Sequence, residues 1–172
     1  MQAIIFGASG GIGRALTTRL AARPDMTLVH AVSRSPVPAS RKITPHTADI
    51  TRETDLETLA ATLKAEGPFG LVIVATGLLS NKNGLSPEKS SRHQAALNML
   101  VRNYAIEQAR INNQFIAVTL HPGTVDTGLS QPFQSNVPDA QLFTPDQSAE
   151  YLLNVLDGLT PADTGKCFDW AG

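Results

Sequence analysis

The stretch Ala3-Ile4-Ile5-Phe6-Gly7-Ala8-Ser9-Gly10-Gly11-Ile12-Gly13-Arg14-Ala15-Leu16 decides the fold. An apolar run of strand character turns within a few residues into a helix whose apolar positions Ile12, Leu16 and Leu20 recur at helical spacing. Gly7, Gly11 and Gly13 accept backbone angles closed to other residues. Lacking a Cβ, they also let a pyrophosphate approach the main chain at a helix N-terminus. The spacing is Gly-x-x-x-Gly-x-Gly rather than the commoner Gly-x-Gly-x-x-Gly, and a tight turn with no ligand uses the same glycines. A strand before and an amphipathic helix after favour nucleotide binding.

Working outward, 172 residues suit one domain, expected to span 1–172, with no room for a separate substrate domain. Fourteen basic against fifteen acidic side chains suggest neither a nucleic-acid footprint nor a polybasic membrane patch. Small molecules or protein are the expected partners. Cys167, the single cysteine, excludes an intrachain disulfide and is read as a small buried apolar residue in a reducing compartment. No window reaches the length of a membrane span, so a soluble cytoplasmic protein is expected. His30 and His46 lack metal-ligand spacing and are read as structural or surface groups, with no metal expected.

Strand two is expected at Thr27 to Val32. At its end, where a dinucleotide site reading the ribose 2′-hydroxyl places Asp or Glu, stand Ser33 and Arg34. A guanidinium grips a 2′-phosphate by a bidentate, charge-assisted pair, so the choice points to NADP(H) over NAD(H). Arg14 adds charge nearby, the alternative being two solvated surface arginines. Strand three runs from about Ile43 to Ala48 and ends in Asp49. Thr54-Asp55-Leu56-Glu57 is a capping-box pattern opening a helix with Leu56, Leu59, Ala60 and Leu63 on one face and Gly67 at its end. Strand four, Gly70 to Ala75, is continuously apolar, as in a parallel sheet buried on both faces. Three strand-helix units in succession predict a doubly wound sheet.

A polar loop from Thr76 to about Pro87 leaves strand four. A helix then starts between Ser86 and Ser91 and runs to about Arg110, with Leu97, Leu100, Val101 and Tyr104 on one face. Phe115 to Leu120 is the next strand. It breaks at His121-Pro122-Gly123, and a long loop containing Pro132 and Pro138 reaches Phe143, the length of a lid or binding element. Thr144-Pro145-Asp146-Gln147 is a helix start with cap, proline and returning Gln. Ala149, Leu152 and Leu156 face inward, Gly158 stops that helix, and Lys166 to Trp170 forms a last strand.

The glycine turn, Asp49, Ala75-Thr76-Gly77 and His121-Pro122-Gly123-Thr124-Val125-Asp126-Thr127 resemble the short-chain dehydrogenase/reductase family over nearly the whole chain. Ala95-Ala96-Leu97-Asn98-Met99-Leu100, His121 to Ser130 and the Thr144 to Gly158 helix are most similar to the branch related to the C-factor cell-cell signalling protein. The resemblance implies a Rossmann-type α/β fold, three-layered, with a mostly parallel sheet of about six strands. It also implies that Gly7, Ser9, Gly10, Gly11, Ile12 and Gly13 wrap a pyrophosphate and that Asp49 and Ile50 contact adenine. Ala75, Thr76 and Gly77 would lie on the ribose side, and Pro122, Gly123, Val125 and Thr127 at the nicotinamide end.

The departure from the family pattern concerns catalysis. Its Tyr-x-x-x-Lys pair falls on Ser90 and Gln94, and neither Tyr104 nor Tyr151 has Lys four residues on. Between Gly77 and Ser90 there is no room for the helix and strand that carry the family's catalytic Ser. The phenol is the proton donor to the carbonyl, and an unactivated serine hydroxyl is a far poorer acid. Ser91, His93, His121 and Asp126 offer a conceivable Ser-His-Asp set, but residues two apart on a helix point in different directions. The expectation is an NADP(H)-binding protein that is an oxidoreductase by family. The alternative is a catalytically silent nucleotide-binding protein acting in signalling through protein contacts. Apolar surface uncovered beside strand four predicts a homo-oligomer.

Overall fold

In the first seventy-odd residues, short apolar strands alternate with amphipathic helices and a loop, and β1 and β2 are the strands buried deepest. β1 (Gln2–Phe6), β2 (Leu28–Ser33), β3 (Ile43–Thr47) and β4 (Leu71–Val74) form one parallel sheet in the order β3-β2-β1-β4. This is a computed structural model, and it describes residues 1–77, 87–138 and 141–172, the side chains of 87–94, 132, 133 and 136 excepted. The chain divides into two compact units, Met1–Gly77 and Leu78–Gly172.

In the first unit, α1 (Gly11–Ala22) joins β1 to β2, and α2 (Glu53–Lys64) carries the chain from β3 across to β4. Parallel crossovers are right-handed, so moving outward from β1 and then back past it puts the two helices on opposite faces. Ile4, Val32, Ala48, Leu59 and Leu63 form one buried cluster, which places α2 over the Ile4 face. Ala3, Ile5, Val29 and Ala31, all fully buried, point to the other face, where α1 supplies Leu16 and Leu20. The direction of winding reverses between β1 and β4. Such a switch point opens a crevice at the strands' carboxyl ends.

Two expectations about this unit change. β4 is an edge strand: Val72 and Val74 are 54% and 66% exposed rather than buried on both faces. The capping box at Thr54 does not form, because α2 starts two residues earlier than that cap requires, with Arg52 as its N-cap, and Asp55 accepts the Asp49 amide at 3.0 Å. β2 and β3 are joined by a loop, as the Pro- and Ser-rich composition of Ser35 to Arg41 predicts.

The second unit holds α3 (Pro87–Ile111), β5 (Thr119–His121), β6 (Thr124–Val125), β7 (Leu142–Phe143), α4 (Pro145–Gly158) and β8 (Cys167–Asp169). β5 pairs with β8 and β6 with β7, both in parallel, so the main sheet has four strands among the described residues, not about six. β5 is shorter than read, since Phe115 to Val118 lack strand pairing; instead Thr164 Oγ1 accepts the Ala117 amide at 3.1 Å. α4 opens as the sequence dictates. Thr144 Oγ1 accepts the Gln147 amide at 3.2 Å, and Gln147 Oε1 accepts the Thr144 amide at 2.9 Å, a cap worth about 1 kcal/mol. Leu97, Leu100 and Tyr104 of α3 are exposed, and Ala105 is buried. Cys167 is exposed, not buried, because its side chain alternates away from half-buried Phe168.

Candidate dinucleotide site

Gly7 ends β1 with φ +83°, a left-handed conformation that favours glycine. Its amide and that of Ala8 both donate to the Val32 carbonyl, at 2.9 and 3.1 Å, so the turn is fastened to the end of β2. A Cβ at Gly7 would lie 2.5 Å from the Ala75 carbonyl oxygen, and one on Gly13 would overlap the Gly7 carbonyl oxygen. These two glycines let the ends of β1 and β4 and the start of α1 converge on one point. The third fingerprint glycine, Gly11, is the first residue of α1 and exposed.

Gly10 is the N-cap of α1, offers no side-chain acceptor, and no acidic residue occupies the first turn. The first amides of a helix have no intrahelical partner, and the dipole leaves partial positive charge there. An exposed glycine-built helix start at a topological switch point therefore suits a pyrophosphate. Ser9 and Ile12 are partly buried beside it, and Arg14 is exposed.

Arg34 follows β2 with an exposed side chain. Asp49 follows β3 in a tight turn: its Oδ1 accepts from the Thr51 amide at 3.0 Å and from the Thr51 hydroxyl at 2.8 Å. Those two bonds hold the Asp49 carboxyl below its ordinary range, with smaller help from the Arg34 and Arg52 charges. Ile50 is exposed next to it. The Ala75 amide donates to the Phe6 carbonyl at 2.9 Å, and Thr76 and Gly77 are exposed beyond it. The structure thus brings Gly7 to Gly13, Arg34, Asp49, Ile50 and Ala75 to Gly77 to the carboxyl ends of four adjacent strands.

In the second unit Gly123 has φ +74°, and a Cβ there would sit 2.8 Å from the Phe143 ring and 3.0 Å from Trp170. Pro122 is held through its carbonyl, which accepts from the buried Ser148 hydroxyl of α4 at 3.1 Å. Val125 is 4% exposed, so its side chain belongs to the core. Thr127 is partly buried. The residue that organises this loop, missed in the sequence, is Ser130: its hydroxyl donates to the Val125 carbonyl and accepts the Thr127 amide at 3.2 Å and Gln134 Nε2 at 2.9 Å. Serine in a loop carries no sequence signal for such a role.

Of the Ser-His-Asp set, His121 Nδ1 accepts the Gly123 amide at 3.2 Å, and Asp126 Oδ1 accepts Gln134 Nε2 at 3.0 Å. Both atoms are engaged elsewhere than with each other. The side chains of Ser90, Ser91, His93 and Gln94, and residues 78–86, lie outside the described residues. Among the described residues, no group of three or more metal-binding side chains occurs, and no helix is long and apolar enough to cross a membrane.

Comparison with known proteins agrees with this architecture. The model of the NAD dependent epimerase/dehydratase family matches residues 3–117. C-signal of Myxococcus xanthus is 40% identical over 79 residues, covering 46% of this chain and 42% of that protein. An uncharacterized oxidoreductase of Schizosaccharomyces pombe is 27% identical over 123 residues, 64% of this chain and 48% of its own. The chain thus spans less than half the length of these curated relatives. Among solved structures, the NADPH-bound carbonyl reductase from chicken fatty liver superposes with a TM-score of 0.82 at 17% identity, covering 99% of this chain and 92% of that one, a likeness of fold. The chain has a Rossmann-type fold, is similar to C-signal over part of its length, and belongs to the NAD dependent epimerase/dehydratase family.

Proposed function

We propose that this chain binds NADP(H) in preference to NAD(H) at the carboxyl ends of β1 to β4, and that its chemistry is hydride exchange with a carbonyl or alcohol substrate. The observation that carries this reading is the uncapped, glycine-built start of α1 at the switch point, with the exposed Arg34 one strand away. Bound NADPH would supply the hydride. The first amides of α1 would hold the pyrophosphate, and the Arg34 guanidinium the 2′-phosphate. Asp49, fixed by Thr51, and Ile50 would border the adenine.

Proton donation is the weak step. Ser90 and Gln94 stand where the family resemblance assigns a phenol and an ammonium, and a positioned acid contributes roughly 10²- to 10⁴-fold. Binding is retained while turnover by this chain is low. The test is equilibrium titration of NADPH and NADH into wild type and Arg34→Ala. One charge-assisted pair is worth about 1.5–3 kcal/mol, tenfold or more in affinity. Wild type should prefer NADPH by that factor and Arg34→Ala should lose the preference. Equal affinities in wild type would sink the proposal.

A further inference from the structure

The Ile4 face of the sheet, between the strands and α2, contains one polar feature that the dinucleotide reading does not use. His30 on β2 is completely buried, and both its ring nitrogens are engaged. Nδ1 lies 3.0 Å from Nε2 of His46 on β3, and Nε2 lies 3.0 Å from Oε1 of Gln2 on β1. Gln2 Nε2 in turn donates to the Glu66 carbonyl at 3.0 Å. The two imidazoles stack with centroids 5.2 Å apart and planes at 24°, and Phe69 meets the His30 ring edge-on at 5.4 Å.

The hydrogens of this chain can be assigned from one end. A carbonyl only accepts, so the Gln2 nitrogen faces Glu66 and its oxygen faces His30. His30 therefore carries its hydrogen on Nε2. In the neutral ring Nδ1 is then an acceptor, which requires His46 to donate from Nε2. A second proton on His30 must go to Nδ1, where a neutral His46 can still accept it by moving its own hydrogen to Nδ1; once both rings are doubly protonated, two N–H groups face each other across 3.0 Å and the link between β2 and β3 breaks. A second proton on His46 goes to its outer Nδ1, leaving the link intact but setting a charge against a buried ring.

Little nearby compensates such a charge. Gln2 on β1 is neutral, α2 presents Leu59 and Leu63 to this face, Asp55 of α2 lines the hollow beside His46 with its carboxylate bonded to the Asp49 amide, and Phe69 closes the end. The charged group acting on the pair is Glu66 in the turn after α2, exposed and screened by water. Burial, and for His30 also the neighbouring His46, pushes both imidazoles below their ordinary value of 6.5, and Glu66 only partly opposes this.

We propose that Gln2, His30, His46 and the Glu66 carbonyl form an acid-sensitive latch across β1, β2 and β3, closed while both imidazoles are neutral and released when they take up protons. The strands it fastens carry Gly7, Arg34 and Asp49 at their carboxyl ends, although the latch stands whether or not a dinucleotide binds there.

The sign follows from linkage. Because the folded-state values lie below the unfolded value, the unfolded chain binds more protons as pH falls from about 6.5. The latch contributes its full stability above that pH and loses it as pH falls through the lowered folded values. Each histidine can reduce the folding equilibrium constant by up to about tenfold per pH unit in that window.

Two measurements test this on the whole chain. Ring-nitrogen NMR of wild type at about pH 7.5, above the ordinary histidine range, should show both His30 and His46 with hydrogen on Nε2. A His30 ring protonated on Nδ1 would overturn the assignment and the latch. Urea unfolding of wild type and His46→Gln between about pH 7.5 and 5.5 should show a loss in the wild-type folding constant several-fold, and up to about tenfold, greater than in the variant, whose amide still donates to His30. Equal pH dependence would overturn the proposal. If His46→Gln does not fold, the NMR assignment of wild type decides alone.

Discussion

Gly13→Ala and Gly10→Ala make the same chemical change three residues apart, yet the structure gives them different outcomes. At Gly13 the new methyl would overlap the Gly7 carbonyl oxygen and lie 2.8 Å from its carbon and 3.1 Å from Ala8 Cα, all main-chain atoms. That main chain cannot retreat easily, because the Gly7 and Ala8 amides are both bonded to Val32. Relief requires α1 to move outward, stretching the 3.0 Å bond from the Gly10 amide to the Gly7 carbonyl. Overpacking of this kind costs typically 1–3 kcal/mol, against a helix-propensity gain of roughly 0.8–1 kcal/mol for replacing glycine. The net expectation is a loss of up to about 2 kcal/mol, together with displaced α1 amides and weakened NADPH binding. At Gly10, with φ −72° and a nearest contact of 3.4 Å, the methyl fits, and stability should change by less than about 1 kcal/mol. Urea unfolding of both variants, paired with NADPH titration, reads the difference. Gly13→Ala as stable and as competent as Gly10→Ala would refute the close approach as the reason for glycine at 13.

Other expectations follow from the same geometry. NADPH oxidation against a panel of aldehydes, ketones and quinones should proceed far below a typical turnover of about 10 per second; turnover near that value would show that other residues donate the proton. Ser90→Tyr combined with Gln94→Lys should remain inactive if the strand expected after β4 also matters, and gain of activity would show that only the two side chains were lacking. We also propose self-association, since Val72, Val74, Leu97, Leu100 and Tyr104 are each more than half exposed; a monomeric mass by light scattering at tens of micromolar, a concentration suited to modest affinity, would contradict it.

Legibility in the sequence tracked how local each signal was. The glycine turn and the Thr144-Gln147 capping box are written in adjacent residues; the box appears as read, and in the turn Gly7 alone takes a left-handed angle while Gly11 and Gly13 belong to α1. Thr54 shows the limit of such patterns, because α2 starts at Glu53 with Arg52 as its N-cap and takes Thr54 into its first turn, a choice made by the turn before the helix. β4 is as apolar as an interior strand. Only the sheet order makes it an edge, and sheet order is not local. The pairing of β5 with β8 joins segments more than forty residues apart, for the same reason. His30 and His46 gave no periodic or spacing signal; their link depends on parallel register between β2 and β3, which sets His46 opposite Val32, two residues from His30 on the same face.

Backbone amide NMR of the labelled chain during addition of adenosine 2′,5′-bisphosphate isolates the adenine half of the cofactor from any question of catalysis. A bound ligand should move the resonances of Ser9, Gly11, Ile12, Gly13, Arg34, Asp49 and Ile50 and leave those of α4 and β8 in place. Absence of binding, or shifts confined to residues outside the carboxyl ends of β1 to β4, would contradict the assignment of a dinucleotide site to this sheet.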